Sequence, residues 1–430
     1  MNLKILIEIL GNEVAVGEIT GSSVNDAVFR YYDEYINSGY LPISISLQFQ
    51  NEAFSPEQTR RFFDGLLPEG FTRKSVALSI HSDENDYLKI LYELGKECLG
   101  AIRIADGNIS LADNAAYEVL SVEDVKALAN EGATKSTELI TKAHLSLTGA
   151  SGKVGLYYDN RNDSWYIPMG SAPSTHIVKQ SHVRLMNIVA NEQLALLTAK
   201  KLGLGIANSF IINTGGVADG DVLLASERYD RIFDKDAPVI SNLPAPFRLH
   251  QEDFAQAMGI PASEKYEMPP KKYLRDIMEL IQNWSANPVE DQLKLWDKIV
   301  FDYLIGNTDN HIKNISLLYS PDMRSIRLAP AYDIVSTVIY ESSTKDMAFA
   351  INGKYSLPTI TREDFKYAAE EAGIGSGIAM RRFDKLASEF KDALQYAAEI
   401  LKNKGFTMAE NISESILQKG GIGCIISTQR

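Results

Sequence analysis

Residues 305–314 read IGNTDNHIKN, and the way this run closes one element and opens the next decides how the chain divides. Upstream, Trp296, Ile299, Val300, Tyr303 and Leu304 recur at helical spacing. Residues 289–304 are therefore expected to form a helix with one buried face. Gly306-Asn307 stops that helix. Asp309 then falls on a loop held by a packed helix, a place from which reactive groups are often presented. Downstream, the apolar runs 315–318 and 326–328 are expected to pair as a hairpin. Asp333, in LAPAYDIVS, follows them, 19 residues beyond Asn314.

The interval from Asp309 to Asn314 is Asp-x-x-x-x-Asn, the spacing of a protein-kinase catalytic loop. In such a loop the Asp accepts or orients the proton of the acceptor hydroxyl, and the Asn ligates magnesium. A second acidic residue must hold metal against the β- and γ-phosphates, and Asp333 is the candidate. Oxygen ligands of this kind suit Mg²⁺. Taken one at a time these residues have plainer readings, with Asp309 and Asn307 capping a turn and Asp333 a surface acid. The combination of spacing, helix support and a later acid favours chemistry. His311 is not expected to bind zinc, because the six histidines are scattered and none has a close His or Cys partner.

Working toward the N-terminus, LTGASGKVGL (147–156) carries glycines at 149, 152 and 155. It is not a Walker A loop: Leu147 stands where that motif needs glycine, and Val154 where it needs Ser or Thr. The segment can still turn tightly between strands and offer backbone N–H groups to phosphate oxygens, helped by Lys153. A simple hairpin turn fits it equally. Lys179 ends the apolar run His176-Ile177-Val178, as a kinase phosphate-pairing lysine ends its strand, and Glu192 near the start of the next helix is its candidate ion-pair partner. An edge-strand lysine and a solvated helix acid are the alternative. LLASERYDR (223–231) reads as a strand running into a polar exit, flanked by Glu227 and Tyr229, where a kinase has the hinge that meets adenine; by itself it fits any strand-to-loop transition equally.

The rest of the chain frames these sites. Strands are expected at 3–9, 14–19, 43–49, 154–159, 164–168, 175–180 and 222–227, with a hairpin turn at 160–163. Helices are expected at 58–67, 86–95, 187–202, 251–258, 272–284, 362–372, 377–402 and 408–418. The polar run 106–115 marks a domain boundary or, equally, a long hairpin loop. The expected fold is α+β: a bilobal kinase-like unit, with a β-rich lobe at 106–228 and a helical lobe at 229–430, preceded by an α+β domain at 1–105. With 430 residues, 45% hydrophobic and 23% charged, wholesale disorder is excluded. The net charge of −13 argues against this chain wrapping nucleic acid by itself. Two distant cysteines, Cys98 and Cys424, form no disulfide framework and suit a reducing compartment. Charges interrupt the first apolar run, so it is not a signal peptide, and no stretch approaches the ~20 apolar residues of a membrane span. The expectation is a soluble cytoplasmic protein without a membrane partner.

Eight stretches together resemble the HipA family of bacterial serine/threonine kinase toxins: FFDGLLPEG (62–70), LGKECLGAIRI (94–104), SLTGASGK (146–153), STHIVK (174–179), LLASERYDR (223–231), RLHQEDFAQAMG (248–259), LIGNTDNHIKN (304–314) and APAYDI (329–334). The resemblance implies a HipA N-terminal domain followed by a kinase domain, with Asp309 as catalytic base and Asn314 and Asp333 as Mg²⁺ ligands. It implies ATP contacts from Thr148, Gly149, Ala150, Ser151, Gly152, Lys153, Lys179, Glu227, Arg228, Tyr229, His311, Ile312, Lys313 and Tyr332. It also implies autophosphorylation at Ser146, with Thr148 and Ser151 as rival acceptors in the same loop. One departure is that the family's phosphate loop commonly ends Gln-x-Lys, whereas this one ends Ser151-Gly152-Lys153. The implied partners are a small HipB-like helix-turn-helix antitoxin, operator DNA reached mainly through that antitoxin, and a protein substrate such as an aminoacyl-tRNA synthetase. Two other functions compete with a kinase toxin: a small-molecule phosphotransferase on the same fold, and a non-enzymatic corepressor. The intact Asp309, Asn314 and Asp333 set argues against the last.

Overall fold

The computed structural model describes residues 1–106, 115–143, 152–181 and 184–428. Alternating apolar residues build the first sheet: β1 (Asn2–Ile9) and β2 (Asn12–Thr20) pair antiparallel, with β3 (Val28–Tyr31) beside β2 and β4 (Ile102–Asp106) beside β1. The helices Pro56–Phe63 and Tyr87–Leu94 pack against it. Phe29 anchors the layer between, its ring centroid 4.8 Å from Tyr31 and 5.2 Å from Phe63.

Residues 43–49 are not the expected strand. Their backbone groups find side chains instead of a neighbouring strand: Ile43 N–H donates to Tyr31 Oη (3.1 Å), Tyr31 Oη–H donates to the Leu47 carbonyl (2.8 Å), and Ile45 N–H donates to Glu252 Oε1 (3.0 Å). Ile43, Ile45 and Leu47 are buried, so the alternation marks burial correctly while the hydrogen-bond partners lie elsewhere.

A second sheet runs in the order β5-β7-β6-β8-β10-β9, made of β5 (Ala116–Val119), β6 (Lys153–Asp159), β7 (Ser164–Met169), β8 (His176–Gln180), β9 (Ser209–Asn213) and β10 (Val222–Glu227). The expected hairpin between β6 and β7 is present. The Ile188–Lys201 helix lies between β9 and β10 on one side and the long Ser376–Asn403 helix on the other. Sandwiched in this way, it is buried nearly all round, Asn191, Glu192, Gln193 and Thr198 included. Helices Val122–Glu131 and Ala133–Ala143, absent from the sequence reading, join β5 to the segment before β6.

The Pro288–Ile305 helix is central to the helical lobe, in contact with Tyr273–Trp284 and Ser376–Asn403. Trp296, Ile299, Val300, Tyr303 and Leu304 are each at most 1% exposed. The expected helix over 251–258 is mostly something else: Gln251–Asp253 is a strand paired with Ser316–Tyr319, which pairs in turn with Ile326–Leu328. Only Phe254–Ala257 coils, closed by a reciprocal Asp253–Gln256 capping box. Both cysteines are free. Among the described residues no helix is long and apolar enough to cross a membrane.

A sealed charge cluster joins the N-terminal domain to the exit of β10. Glu97 accepts from Arg231 Nη2 (2.7 Å), Arg248 Nη2 (2.7 Å) and Arg228 Nη1 (3.2 Å). Asp230 accepts from Arg228 Nη2 (2.8 Å) and from Gly100 N–H (2.7 Å), and Arg248 also meets Glu8 of β1 (2.9 Å).

Candidate active site

The helix that carries the catalytic-loop candidate ends at Gly306, whose φ is +76°. A Cβ there would fall 2.2 Å from Val338 Cγ2, so both conformation and space demand glycine. Asn307 folds back on the helix, donating from its backbone to the Asp302 carbonyl (2.8 Å) and from Nδ2 to Asp302 Oδ1 (2.9 Å). Its own Oδ1 accepts from Asp309 N–H (3.1 Å). Below, buried Lys298 bridges Asp302 Oδ2 (2.8 Å) and Asn310 Oδ1 (2.5 Å), and Thr308 N–H donates to Thr337 Oγ1 (2.7 Å). Every residue from 301 to 317 is buried except Asp309. The network fixes the loop and leaves one carboxylate facing the cleft.

Surrounding protein still removes enough solvent to push the Asp309 carboxyl above its ordinary range, and the Asp333 charge adds to this, against the hydrogen bond donated by Tyr266. Asn314 donates its Nδ2–H to the Asp309 carbonyl (2.8 Å), which leaves Oδ1 for a cation. Asp333 sits in the left-handed region at φ +55°, a conformation uncommon outside glycine and concentrated at functional sites.

Lys179 joins the two halves. Its Nζ lies 2.7 Å from Glu192 Oε1 and 2.6 Å from Asp333 Oδ1, so the sequence-inferred Glu192 pairing is present and a second carboxylate is added. Burial alone would lower the Lys179 ammonium, but Asp333 and Glu192 outweigh it and hold it above the ordinary lysine range. For Asp333, burial is outweighed by Lys179 and Lys153, which keep it below the carboxylate range. Lys153 stands directly opposite Lys179 in the antiparallel ladder. Burial and the neighbouring Lys179 lower its ammonium, and among the described residues no carboxylate lies within ion-pair distance of it. Two adjacent cations, one of them without an ion-pair partner among the described residues, make a place for an anion.

These groups line one cleft of about 970 Å³, together with Gly152, Glu227, Arg228, Tyr229, His311, Lys313 and Tyr332. Tyr229 and Tyr332 face each other with centroids 5.8 Å apart, offering apolar faces to a planar ring. Glu227 ends β10, where Asn208 Nδ2 donates to its carboxylate (3.0 Å). Several of the inferred contact residues have side chains engaged within the protein. The Arg228 guanidinium is spent on Glu97, Asp230, Ser174 Oγ and the Cys98 carbonyl. Lys313 Nζ is held by Asp253 Oδ2 (2.7 Å), and Ile312 is wholly buried in the core. His311 is neutral, lowered to about 3 by burial first and by nearby Lys265 second. Ser146, Thr148, Gly149, Ala150 and Ser151 lie outside the described residues.

Among the cleft residues that escaped the sequence reading are three beside the Asp309 carboxylate. Tyr266 donates its hydroxyl hydrogen to Asp309 Oδ1, Lys265 precedes it, and Glu69 reaches in from the N-terminal domain to meet Lys265 at 2.9 Å. Glu69 stands inside FFDGLLPEG, but nothing in that run says its carboxylate leaves its own domain. Lys265-Tyr266 carries no spacing signal at all.

The arrangement combines a fixed carboxylate, two neighbouring oxygen donors and a pair of cations in one cleft. Two family models match the chain: the HipA N-terminal domain over residues 7–105 and the HipA-like C-terminal domain over residues 145–397. The chain belongs to the HipA family. Among HipA-family relatives, "Putative kinase Y4mE" of Sinorhizobium fredii is 31% identical over 392 residues, covering 89% of this chain and 90% of that one. The "Serine/threonine-protein kinase toxin HipA" of Shewanella oneidensis is 25% identical over 383 residues, covering 86% and 82%. The solved structure of Shewanella oneidensis MR-1 HipA with HipB and its operator DNA superposes with a TM-score of 0.81 at 21% identity, over 99% of this chain and 97% of that one. The chain therefore has the HipA fold, a bilobal kinase-like unit behind an N-terminal α+β domain.

Proposed function

We propose that this protein is an ATP-dependent serine/threonine protein kinase and the toxin of a toxin–antitoxin module, organised as an N-terminal domain at 1–105, a β-rich lobe at 106–228 and a helical lobe at 229–430. The observation that carries this reading is the single cleft in which the one exposed residue of the loop, Asp309, meets Asn314 and the Lys179–Asp333–Glu192 ion pairs.

The donor set fits the group it would bind. When present, Mg·ATP supplies the transferable phosphoryl group and screens its charge. Asn314 Oδ1 and the Asp333 carboxylate would hold the metal, which suits magnesium because it commonly takes only one or two protein oxygens and completes its shell with phosphate and water. Lys179 and Lys153 would bind phosphate oxygens, Tyr229 and Tyr332 would flank the base, and Glu227–Tyr229 would supply the hinge. Asp309 orients the acceptor hydroxyl and takes its proton at Oδ. Ser146 is the proposed site of autophosphorylation, which would add about −1.5 to −2 charge to the proposed phosphate-binding segment and oppose ATP binding.

The partner is proposed to be a HipB-like helix-turn-helix antitoxin, as in the Shewanella complex. With a net charge of −13, this chain would reach operator DNA through that partner. The protein substrate is proposed to be linked to translation, an aminoacyl-tRNA synthetase being one such class. Incubation with γ-labelled ATP, Mg²⁺ and a bacterial lysate tests the reading. Label is expected on serine or threonine of discrete proteins and on this chain; label found only in small molecules would replace the protein kinase with a small-molecule phosphotransferase.

A further inference from the structure

We propose that Tyr266 occupies the acceptor-hydroxyl position of the cleft until a substrate arrives, and that Glu69 of the N-terminal domain sets it there through Lys265. The inference rests on the kinase reading above.

A carboxylate base receives its substrate as a hydrogen-bond acceptor, with the incoming O–H pointing at Oδ. Here that contact is made by the Tyr266 phenol at Asp309 Oδ1. The ring stands edge-on to His311, with centroids 5.2 Å apart and planes at 87°. Tyr266 is 45% exposed, so it can leave the cleft without opening the core. Its neighbour Lys265 is fastened on both sides: the backbone carbonyl accepts from Ile312 N–H of the catalytic loop (3.4 Å), and Nζ meets Glu69 Oε2 (2.9 Å).

Glu69 is placed for this duty rather than for its own helix. It precedes the Gly70–Ser79 helix as N-cap yet makes no side-chain cap. Its Oε1 is buried with no hydrogen-bond partner among the described residues, 3.7 Å from Lys313 Nζ. A carboxylate that forgoes the cap and turns toward cations of the other lobe ties the acceptor side of the cleft to the N-terminal domain.

The phenol then competes with any other hydroxyl for Asp309, water included. In hydrolysis, the water oxygen bonds to the γ-phosphorus, the β–γ bridging P–O bond breaks toward ADP, and the water proton passes to Asp309. Tyr266→Phe keeps the ring on His311 and removes the competitor. With the full chain and Mg·ATP alone, hydrolysis is expected to rise about 10-fold, equivalent to ~1.4 kcal/mol, with KM for ATP unchanged. Glu69→Gln is expected to raise it about 3-fold, and to add nothing in the double variant, because it acts through Tyr266. A merely structural Glu69 would instead lower activity in both backgrounds. Unchanged or reduced hydrolysis in Tyr266→Phe overturns the inference. Asp309→Asn separates the two failures. If wild-type hydrolysis needs Asp309 but ignores Tyr266, the plug alone is wrong. If hydrolysis is absent in every variant while wild type still labels lysate proteins, the plug again fails alone; if label transfer to lysate proteins is absent or indifferent to Asp309, the kinase reading fails and the plug fails with it.

Discussion

The N-terminal domain meets the rest of the molecule through two clusters of charge with different construction. Around Glu97 every carboxylate is matched: three arginines converge on it, Asp230 pairs with Arg228 and Arg231, Glu8 pairs with Arg248, and the central residues are buried. Around Asp309 the supporting groups are equally buried, but the carboxylate they support faces the cleft and the nearby Lys153 has no counter-ion among the described residues. A sealed cluster spends its charges on itself and joins elements together. A cluster left open at one residue keeps charge available for a ligand.

The sharpest break between the two is chemical. Asp309→Asn should cost roughly 10²–10⁴ in phosphoryl transfer, the usual worth of a positioned base, with Tm unchanged by thermal melting. Equal activity would remove the distinction. Glu97→Ala should do the reverse. It leaves three buried guanidinium groups without their acceptor, and is expected to cost about 3–5 kcal/mol of stability, read by denaturant unfolding, while chemistry in the folded fraction survives.

A third carboxylate refines the comparison. Glu252 also bridges to the N-terminal domain, but its partners are neutral donors: Ser44 Oγ–H (2.5 Å), Ile45 N–H (3.0 Å) and Tyr319 Oη–H (2.6 Å). Burial outweighs them and pushes its carboxyl from the ordinary 4.5 to about 7. In Glu97, burial is outweighed by Arg231, Arg248 and Arg228, and the shift is downward. The linkage signs are therefore opposite. Glu252 stabilises the fold fully below about pH 4.5, and this contribution is lost as pH rises through about 7, about 3 kcal/mol across the interval. The contribution of Glu97 is present above its unfolded value and lost as pH falls. Unfolding of wild type and Glu252→Gln between pH 5 and 7.5 checks this. The variant should lose the downward slope, and an identical slope in both would reject the assignment.

The smallest effect lies inside the open cluster. Asp333→Asn removes one of the carboxylates of Lys179 and a proposed metal ligand. Mg·ATP affinity should fall roughly 10-fold or more, while metal-free adenosine, which needs only the hinge and the Tyr229–Tyr332 faces, should bind nearly as before. Titration calorimetry with both ligands decides it; equal losses would move Asp333 to a structural role.

Much of this was legible beforehand. The Pro288–Ile305 helix, its glycine stop and the paired strands after the loop follow from periodicity and spacing, because each is local; the Lys179–Glu192 pair is one of two readings the sequence leaves open. The misreadings have one cause. Residues 43–49 carry a strand's alternation but bond to Tyr31 and Glu252, and Gln251–Asp253 looked helical because Phe254–Ala257 follows it. In both, the partner of the backbone is remote in sequence.

The sequence by itself singled out the candidates for the chemistry and their order, Lys153, Lys179 and Glu192, then Asp309, Asn314 and Asp333, on elements whose type their own side chains specify. Only the tertiary structure decided that the Arg228 guanidinium pairs with Glu97, that the Lys313 ammonium pairs with Asp253, and that Glu69 crosses from one domain to hold Lys265 beside the Asp309–Tyr266 contact. Hydrophobic period is a property of neighbours along the chain, whereas the partner of a buried charge is whichever opposite charge folding brings within about 4 Å.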